Sequence, residues 1–263
     1  RCFDDSNVTH VEGSTDPLRD IDIINTELIM ADLEMIDRRI DKAQKNAKGG
    51  DKRFNHEVEV FTALRDYMNE GNLARTFECS EDDAAMIATS DLLTLRKTIY
   101  AANLSENDVN QPEACKYFTQ VQELAAKEGS EVLPICAKLE ADIAELDEYE
   151  ERQMFLEEIG LKESGVARLI KAAYKLLDLQ TFFTTGADES RAWTFRRGMK
   201  APQTAGIIHT DFERGFIRAE VIKYDDYVAL GSEKACRDQG KIGVEGKEYV
   251  VQDGDIMHFL FNV

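Results

Sequence analysis

Thr98-Ile99-Tyr100-Ala101-Ala102-Asn103-Leu104-Ser105-Glu106 is an apolar run that stops at a polar turn. Its first five residues suit a short, largely buried strand. The turn carries one amide, Asn103, and one carboxylate, Glu106. Downstream, Glu113 to Lys127 has the composition of a helix, and Glu131-Val132-Leu133-Pro134-Ile135-Cys136 that of a second strand. A strand, a helix and a strand in this order predict a right-handed crossover with the two strands parallel. Ligands of such units sit at the carboxyl ends of the strands. Here those ends carry Asn103–Glu106 and Cys136-Ala137-Lys138.

Before this unit the apolar spacing is helical. Asp20 is placed to cap a helix from about Ile21 to Ala47, with Ile24, Leu28, Ala31 and Met35 as its apolar stripe, widened by Leu33, Ile36 and Ile40. Gly49-Gly50-Asp51 signals a turn. A second helix presents Val58, Phe61, Leu64 and Met68 on one face and ends near Gly71. The pair reads as a short antiparallel, coiled-coil-like hairpin. Arg38, Arg39, Lys42, Lys45, Lys48, Lys52 and Arg53 gather towards its tip, either as a solvated face or as a contact to RNA or an acidic partner. Glu81 to Ala88 predicts a short helix, and Asp142 to Leu176 is mostly helical.

After Asp178 the texture changes to short alternating strands. These are Thr181–Thr184, Ala192–Phe195, Phe216–Ile222, Tyr249–Val251 and Met257–Phe261, with helices around Gln203–Ile208 and Gly231–Gln239. A small mixed sheet with a helix packed on it is the expected product.

The bulk composition excludes several classes. At 263 residues the chain has room for two domains or more. No apolar run approaches the length of a transmembrane helix, and the N-terminus lacks a signal-peptide pattern. Without an initiating Met, the chain reads as beginning inside a larger protein. The 5 Cys residues are widely spaced with no C-x-x-C pair, which argues against a zinc site or disulfide framework and for reduced thiols in the cytosol. The net charge is −19, but residues 178–263 hold 14 acids and 11 bases, so most of the excess lies before Asp178. A polyanion would meet least repulsion in the C-terminal region.

N-x-x-E alone is a weak motif; its position after a strand in a βαβ unit is what gives it weight. Guanine-selective P-loop proteins carry Asn-Lys-x-Asp at this place, where the Asp accepts two N–H groups from the guanine edge. Here the fourth residue is the longer Glu106 and the Lys is absent, which points away from strict guanine recognition and towards adenine. Cys136-Ala137-Lys138 resembles the Ser-Ala-Lys loop that packs on the base from its other side. On this reading the backbone of Leu104 and Ala137 lines the purine and Asn103 orients the loop; otherwise Asn103 caps a turn and Glu106 is solvated. The sequence contains no G-x-x-x-x-G-K-[ST] and no D-x-x-G, so the elements that hold phosphates, Mg²⁺ and the attacking water are missing from it. His209-Thr210-Asp211 reads as a hydrogen-bonded turn rather than a catalytic pair, and no nucleophile–base set has supporting context. Trp193 and Phe195 lead into Arg196, Arg197 and Lys200, a combination that suits stacking and phosphate contact if the aromatics are exposed, and a core strand with solvated bases if they are not.

Longer runs make the chain resemble the YchF/Obg-like ATPase family. They include Arg1-Cys2-Phe3-Asp4-Asp5, Ile24-Asn25-Thr26-Glu27-Leu28, Ala47-Lys48-Gly49-Gly50-Asp51-Lys52, the Asn103–Glu106 loop, Leu179-Gln180-Thr181-Phe182-Phe183-Thr184, and His209-Thr210-Asp211-Phe212-Glu213-Arg214-Gly215-Phe216. The resemblance covers essentially the whole chain. It implies an α/β fold with three parts: the remainder of a P-loop NTPase domain (residues 1–20 and 96–177), an inserted α-helical hairpin (21–95), and a C-terminal β-grasp TGS domain (178–263). It implies ATP as the preferred nucleotide over GTP, and base recognition by Asn103, Leu104, Glu106, Cys136 and Ala137. Mg²⁺ ligands and the phosphate loop are expected upstream of Arg1, so the chain as written is expected not to hydrolyse ATP. It further implies a cytoplasmic protein associated with the ribosome or ribosomal RNA, with Arg196, Arg197 and Lys200 as candidate contacts. No membrane association and no DNA-specific contact are expected. The competing expectation is a non-enzymatic ribosome- or RNA-binding module acting through the hairpin and the TGS domain.

Overall fold

The computed structural model describes residues 1–48, 52–186 and 189–262. The elements in chain order are α1 (Pro17–Ala47), α2 (Lys52–Asn69), α3 (Glu81–Ile87), β1 (Ile99–Asn103), α4 (Lys116–Glu128), β2 (Glu131–Ile135), α5 (Ala137–Ala144), α6 (Tyr149–Glu158) and α7 (Gly165–Leu176). They continue as β3 (Leu179–Thr185), β4 (Ser190–Arg196), α8 (Ala201–Ile208), α9 (Thr210–Arg214), β5 (Phe216–Ile222), α10 (Tyr224–Leu230), α11 (Glu233–Asp238), β6 (Ile242–Glu245) and β7 (Ile256–Phe261). The fold is mixed α/β and divides into two compact units, Arg1–Leu169 and Ile170–Val263.

In the first unit, α1 and α2 share one apolar core. Ile29, Ile36 and Ile40 of α1 pack with Val60, Phe61, Leu64 and Met68 of α2, closed by Leu73, Ala74, Ile87 and Leu92. Of the expected apolar face of α2, Phe61, Leu64 and Met68 are buried and Val58 is partly buried, with Val60 added to it, whereas that of α1 is rotated. Ile24 is exposed and the inward positions are Ile29, Asp32, Ile36, Ile40 and Ala43. Asp16, not Asp20, caps α1: its carboxylate accepts the Arg19 N–H, and Pro17 follows at the first helical position. The expected turn at Gly49-Gly50-Asp51 lies outside the described residues.

Asp32 is fully buried and acts at long range. Its Oδ1 accepts the Leu93 N–H at 2.8 Å, while Oδ2 accepts the N–H and hydroxyl of Thr94, each at 2.7 Å. A helix side chain thereby fixes the segment that leads into β1.

β1 and β2 pair in parallel with Asn103 opposite Ile135. The helix between them begins at Lys116 rather than Glu113, because Pro112–Ala114 forms a separate 3₁₀ turn. Gly129 ends it in the left-handed region, φ +67°, where the lack of a Cβ removes the steric cost. Phe118, Val121, Ala102, Leu104, Val109, Cys136 and Leu139 form the core beneath the two strands. The helical stretch after β2 is three helices.

The second unit holds a five-stranded sheet in the order β4-β3-β7-β5-β6. β3 and β4 form an antiparallel hairpin, β3 runs parallel to β7, and β5 is antiparallel to both β7 and β6. Phe182, Phe195, Phe216, Val221, Met257 and Phe259 build the core, with Ala201 and Ala205 of α8 packed into it. The expected strand at Tyr249–Val251 is instead a crossing segment with one bridge, Lys200 to Val250. Its backbone bonds go to the start of α8, through Ala201 N–H to Tyr249 O and Val251 N–H to Met199 O. β6, α9 and α10 were not foreseen.

Candidate functional site

The parallel pairing ends β1 and β2 at the same level, so the two loops after them meet. Leu104 N–H donates to Ile135 O at 2.8 Å, extending the ladder one step, and Cys2 N–H donates to Asn103 O at 2.7 Å from the other side. Asn103 Oδ1 then accepts the Ala137 N–H at 2.9 Å, tying one loop to the other. This leaves the Asn103 Nδ2 donors unengaged among the described residues. Leu104 and Cys136 are buried and anchor their loops in the core. Ser105 folds its turn locally, Oγ donating to Asp108 Oδ2 at 2.6 Å.

Glu106 reaches across the same gap. Its Oε2 accepts from Lys138 Nζ at 2.9 Å, with both side chains substantially exposed. Glu106 holds the Lys138 ammonium above its usual pKa. An exposed pair of this kind contributes little stability, so the carboxylate can exchange the lysine for a ligand's N–H group at small cost. Asn103, Glu106 and Ala137 are thus brought together at the strand ends. Lys138 is the residue that sequence reasoning left out, although it stood within the quoted loop. Glu140, one turn into α5, accepts Gly165 N–H at 2.6 Å and Val166 N–H at 3.1 Å, so the same helix caps α7.

Behind the site, Tyr100 donates to Glu128 Oε2 at 2.7 Å, and Arg75 Nη2 donates to the same oxygen at 2.6 Å. Burial, reinforced by Glu128, pushes the Tyr100 phenol up to about 12. The neutral phenol is therefore favoured by folding, and its contribution is complete below about pH 10, the ordinary tyrosine value. It is lost as pH rises towards 12. We expect stability to fall across that window in the native chain and to fall less in Tyr100→Phe, measured by urea unfolding at a series of pH values. Equal slopes in the two proteins would remove Tyr100 as the cause.

In the second unit, Phe195 is core and Trp193 stacks on Phe182, its Nε1–H donating to Thr184 Oγ1 at 2.9 Å. Phe195 belongs to the core of the sheet, and the half-buried Trp193 ring carries the Arg191 guanidinium at 4.2 Å rather than Arg196, Arg197 or Lys200. Lys200 pairs with Glu248, Arg197 lies 3.9 Å from Asp178, and Arg196 ends β4 in solvent. His209 Nδ1 accepts the Asp211 N–H at 3.2 Å, a helix cap rather than a catalytic arrangement. Among the described residues no group of three or more His, Cys, Asp or Glu could hold a metal ion. No described helix is long and apolar enough to cross a membrane.

The chain is 50% identical over 263 residues to the ribosome-binding ATPase YchF of Bacillus subtilis, covering 100% of this chain and 72% of that protein. The chain belongs to the YchF family. The ribosome-binding ATPase YchF of Escherichia coli O157:H7 is 49% identical over 264 residues, with 71% of it covered. Residues 179–262 match the family described as YchF-GTPase_C, a protein of unknown function (DUF933). The structure of the Schizosaccharomyces pombe YchF GTPase superposes with a TM-score of 0.82 at 33% identity, covering 98% of this chain and 70% of that one. A GTP-binding protein from Pyrococcus horikoshii OT3 shares the fold, with a TM-score of 0.57 at 20% identity over 97% of this chain and 75% of that chain. Family members are therefore described both as ATPases and as GTPases.

Proposed function

We propose that this chain carries the base-selecting half of an adenine-nucleotide site, taking ATP in preference to GTP. The observation that carries the proposal is the joining of the two strand-end loops by the Asn103–Ala137 hydrogen bond, with the Glu106 carboxylate held over the gap. A carboxylate there accepts from the exocyclic amine of adenine, and the Asn103 Nδ2 donors face ring nitrogens that can accept. A glutamate one methylene longer than the aspartate of Asn-Lys-x-Asp cannot take the two adjacent N–H groups of guanine with the same geometry.

These 263 residues contain no phosphate-binding loop, so the base half acts here without the contacts that dominate phosphoryl-transfer catalysis. ATP hydrolysis by these residues alone is not expected. The described residues offer Mg²⁺ no ligand cluster, and its part in the reading rests on the family. Residues 21–95, with the hairpin of α1 and α2, are taken as an insertion in the nucleotide domain, and residues 178–263 as the TGS module. Ribosome association in the cytoplasm is proposed from the names of the relatives. As a second reading, the hairpin and the C-terminal unit bind ribosome or RNA without enzymatic work, favoured by the near-neutral charge of residues 178–263.

The test is a titration of the 263-residue chain with adenosine and with guanosine, followed by NMR. Adenosine is expected to shift the amides of Asn103–Glu106 and Ala137 at millimolar concentration, guanosine less. Glu106→Asp, which restores the aspartate of Asn-Lys-x-Asp, is expected to shift the preference towards guanosine by about tenfold, near 1.4 kcal/mol. An unchanged preference would remove the loop from base selection.

A further inference from the structure

A recess lies wholly within the C-terminal unit. It has a volume of about 720 Å³ and lies between the last turns of α7, the start of β3, the start of α10 and the Asp253–Gly254 turn.

 Its rim carries Lys171, Lys175 and Arg197, against one lining acid, Asp253. That acid is already engaged, its Oδ1 accepting the Thr181 N–H at 2.8 Å. Asp178 lies 3.9 Å from Arg197, too far for a tight pair. A chain of net charge −19 thus presents a locally cationic hollow.

The hollow is also aromatic. Tyr224 is 51% exposed and packs its other face on Phe183, ring centroids 5.9 Å apart. Tyr174 lines the same space, its hydroxyl bonded to Thr194 Oγ1 at 3.0 Å. Gly254 forms part of the floor at φ +82°, and a Cβ there would come to 3.4 Å from the Tyr224 Cβ. The turn is pinned by Gly254 N–H to Thr181 O and Phe183 N–H to Asp255 O, each 2.8 Å. A rigid floor, a braced aromatic ring and cations on the rim are the parts used to stack a base while holding its phosphates.

We propose that this recess binds single-stranded RNA, with a base against Tyr224 and phosphates on Lys175 and Arg197. The proposal rests on the ribosome-associated reading above and names the contact within it. It keeps Arg197 from the expected contact surface and replaces Arg196 and Lys200 with Lys175 and Tyr224, which the sequence did not single out. The charge complementarity decides for RNA over an acidic peptide only together with the exposed ring, because a peptide carboxylate needs no stacking partner.

The test measures fluorescence anisotropy of a labelled ten-residue oligouridylate with the whole 263-residue chain at two salt concentrations. Lys175→Glu and Tyr224→Ala are each expected to weaken binding by roughly tenfold or more. Lys175→Glu is also expected to flatten the salt dependence. Tyr224→Phe, which keeps the ring on Phe183, and Lys175→Arg are expected to bind as the native chain does, which separates lost contact from lost folding. Unchanged binding in Lys175→Glu and Tyr224→Ala, no binding by the native chain, or tighter binding of an oligoglutamate would each overturn the proposal. Ribosome co-sedimentation separates the two levels. If the native chain and both variants all sediment, the recess is wrong and ribosome association stands; if the native chain does not sediment, that association falls and the oligonucleotide result alone decides the recess.

Discussion

Replacing Asp32 with alanine is expected to destabilise the first unit by about 4 kcal/mol, one of the two largest single-residue effects in the chain. The carboxylate is fully buried and accepts three hydrogen bonds, from the Leu93 N–H, the Thr94 N–H and the Thr94 hydroxyl. Thr94 is itself fully buried and its Oγ1 accepts the Ala74 N–H at 3.2 Å, so the network extends to a fourth donor. Removing the acceptor leaves buried donors without water, at about 1–3 kcal/mol each and less than additively. Asp32→Asn keeps one acceptor oxygen and should cost about half as much; Thr94→Val keeps the carboxylate with the two backbone donors and should cost about 1–2 kcal/mol. Urea unfolding gives the totals, and amide hydrogen exchange at Leu93 and Thr94 gives the local effect. If Asp32→Ala unfolds within 1 kcal/mol of the native chain, water reaches those donors and the network is not a structural requirement.

Asp32 also explains why one helix was misread while its neighbour was not. In α2, Phe61, Leu64 and Met68 are the apolar residues at helical spacing, and they are the buried ones. α1 has apolar residues on more than one face, with Ile23, Ile24 and Met30 exposed. Its true inward stripe includes a carboxylate, which local periodicity counts as solvent-facing. The partners that make its burial tolerable lie some 60 residues away in the chain and cannot be seen from the helix. The strand-end loops were legible for the opposite reason. A parallel βαβ unit forces its two carboxyl ends together whatever the side chains do, so Asn103 and Ala137 were identified before their hydrogen bond was known. The bridge from Lys138 to Glu106 depends on side-chain reach across that gap. In the second unit, β6 is only four residues with Gly243 among them, too short for alternation to register. The β-branched residues near Val250 suggested a strand, but the start of α8 takes their backbone bonds.

Stranding the Asp255 carboxylate by replacing Lys223 is expected to be as damaging to the second unit as losing Asp32 is to the first. Asp255 is fully buried beneath the Asp253–Gly254 turn. Its Oδ1 accepts from Lys223 Nζ at 2.6 Å, and its Oδ2 accepts from the Tyr249 hydroxyl at 2.6 Å and the Gln252 N–H at 2.9 Å. Lys223 also donates to the Tyr249 hydroxyl at 3.0 Å, closing a three-residue network. The two ends of the ion pair are unequal, because the Lys223 side chain is 54% exposed and that of Asp255 is 1% exposed. After Asp255→Ala the ammonium can turn to water, so the cost falls on the phenol and the amide, about 3 kcal/mol in total. After Lys223→Met the carboxylate stays behind without its counter-ion, in a place it cannot leave, and the cost should reach about 3–5 kcal/mol. The double variant should then be less damaging than the sum of the two, since the stranded charge is gone. Thermal or urea unfolding of the three variants tests this order. A Lys223→Met protein as stable as the native chain would mean that Tyr249 and Gln252 suffice to hold the buried charge, and the lysine would then be free to serve the surface rather than the fold.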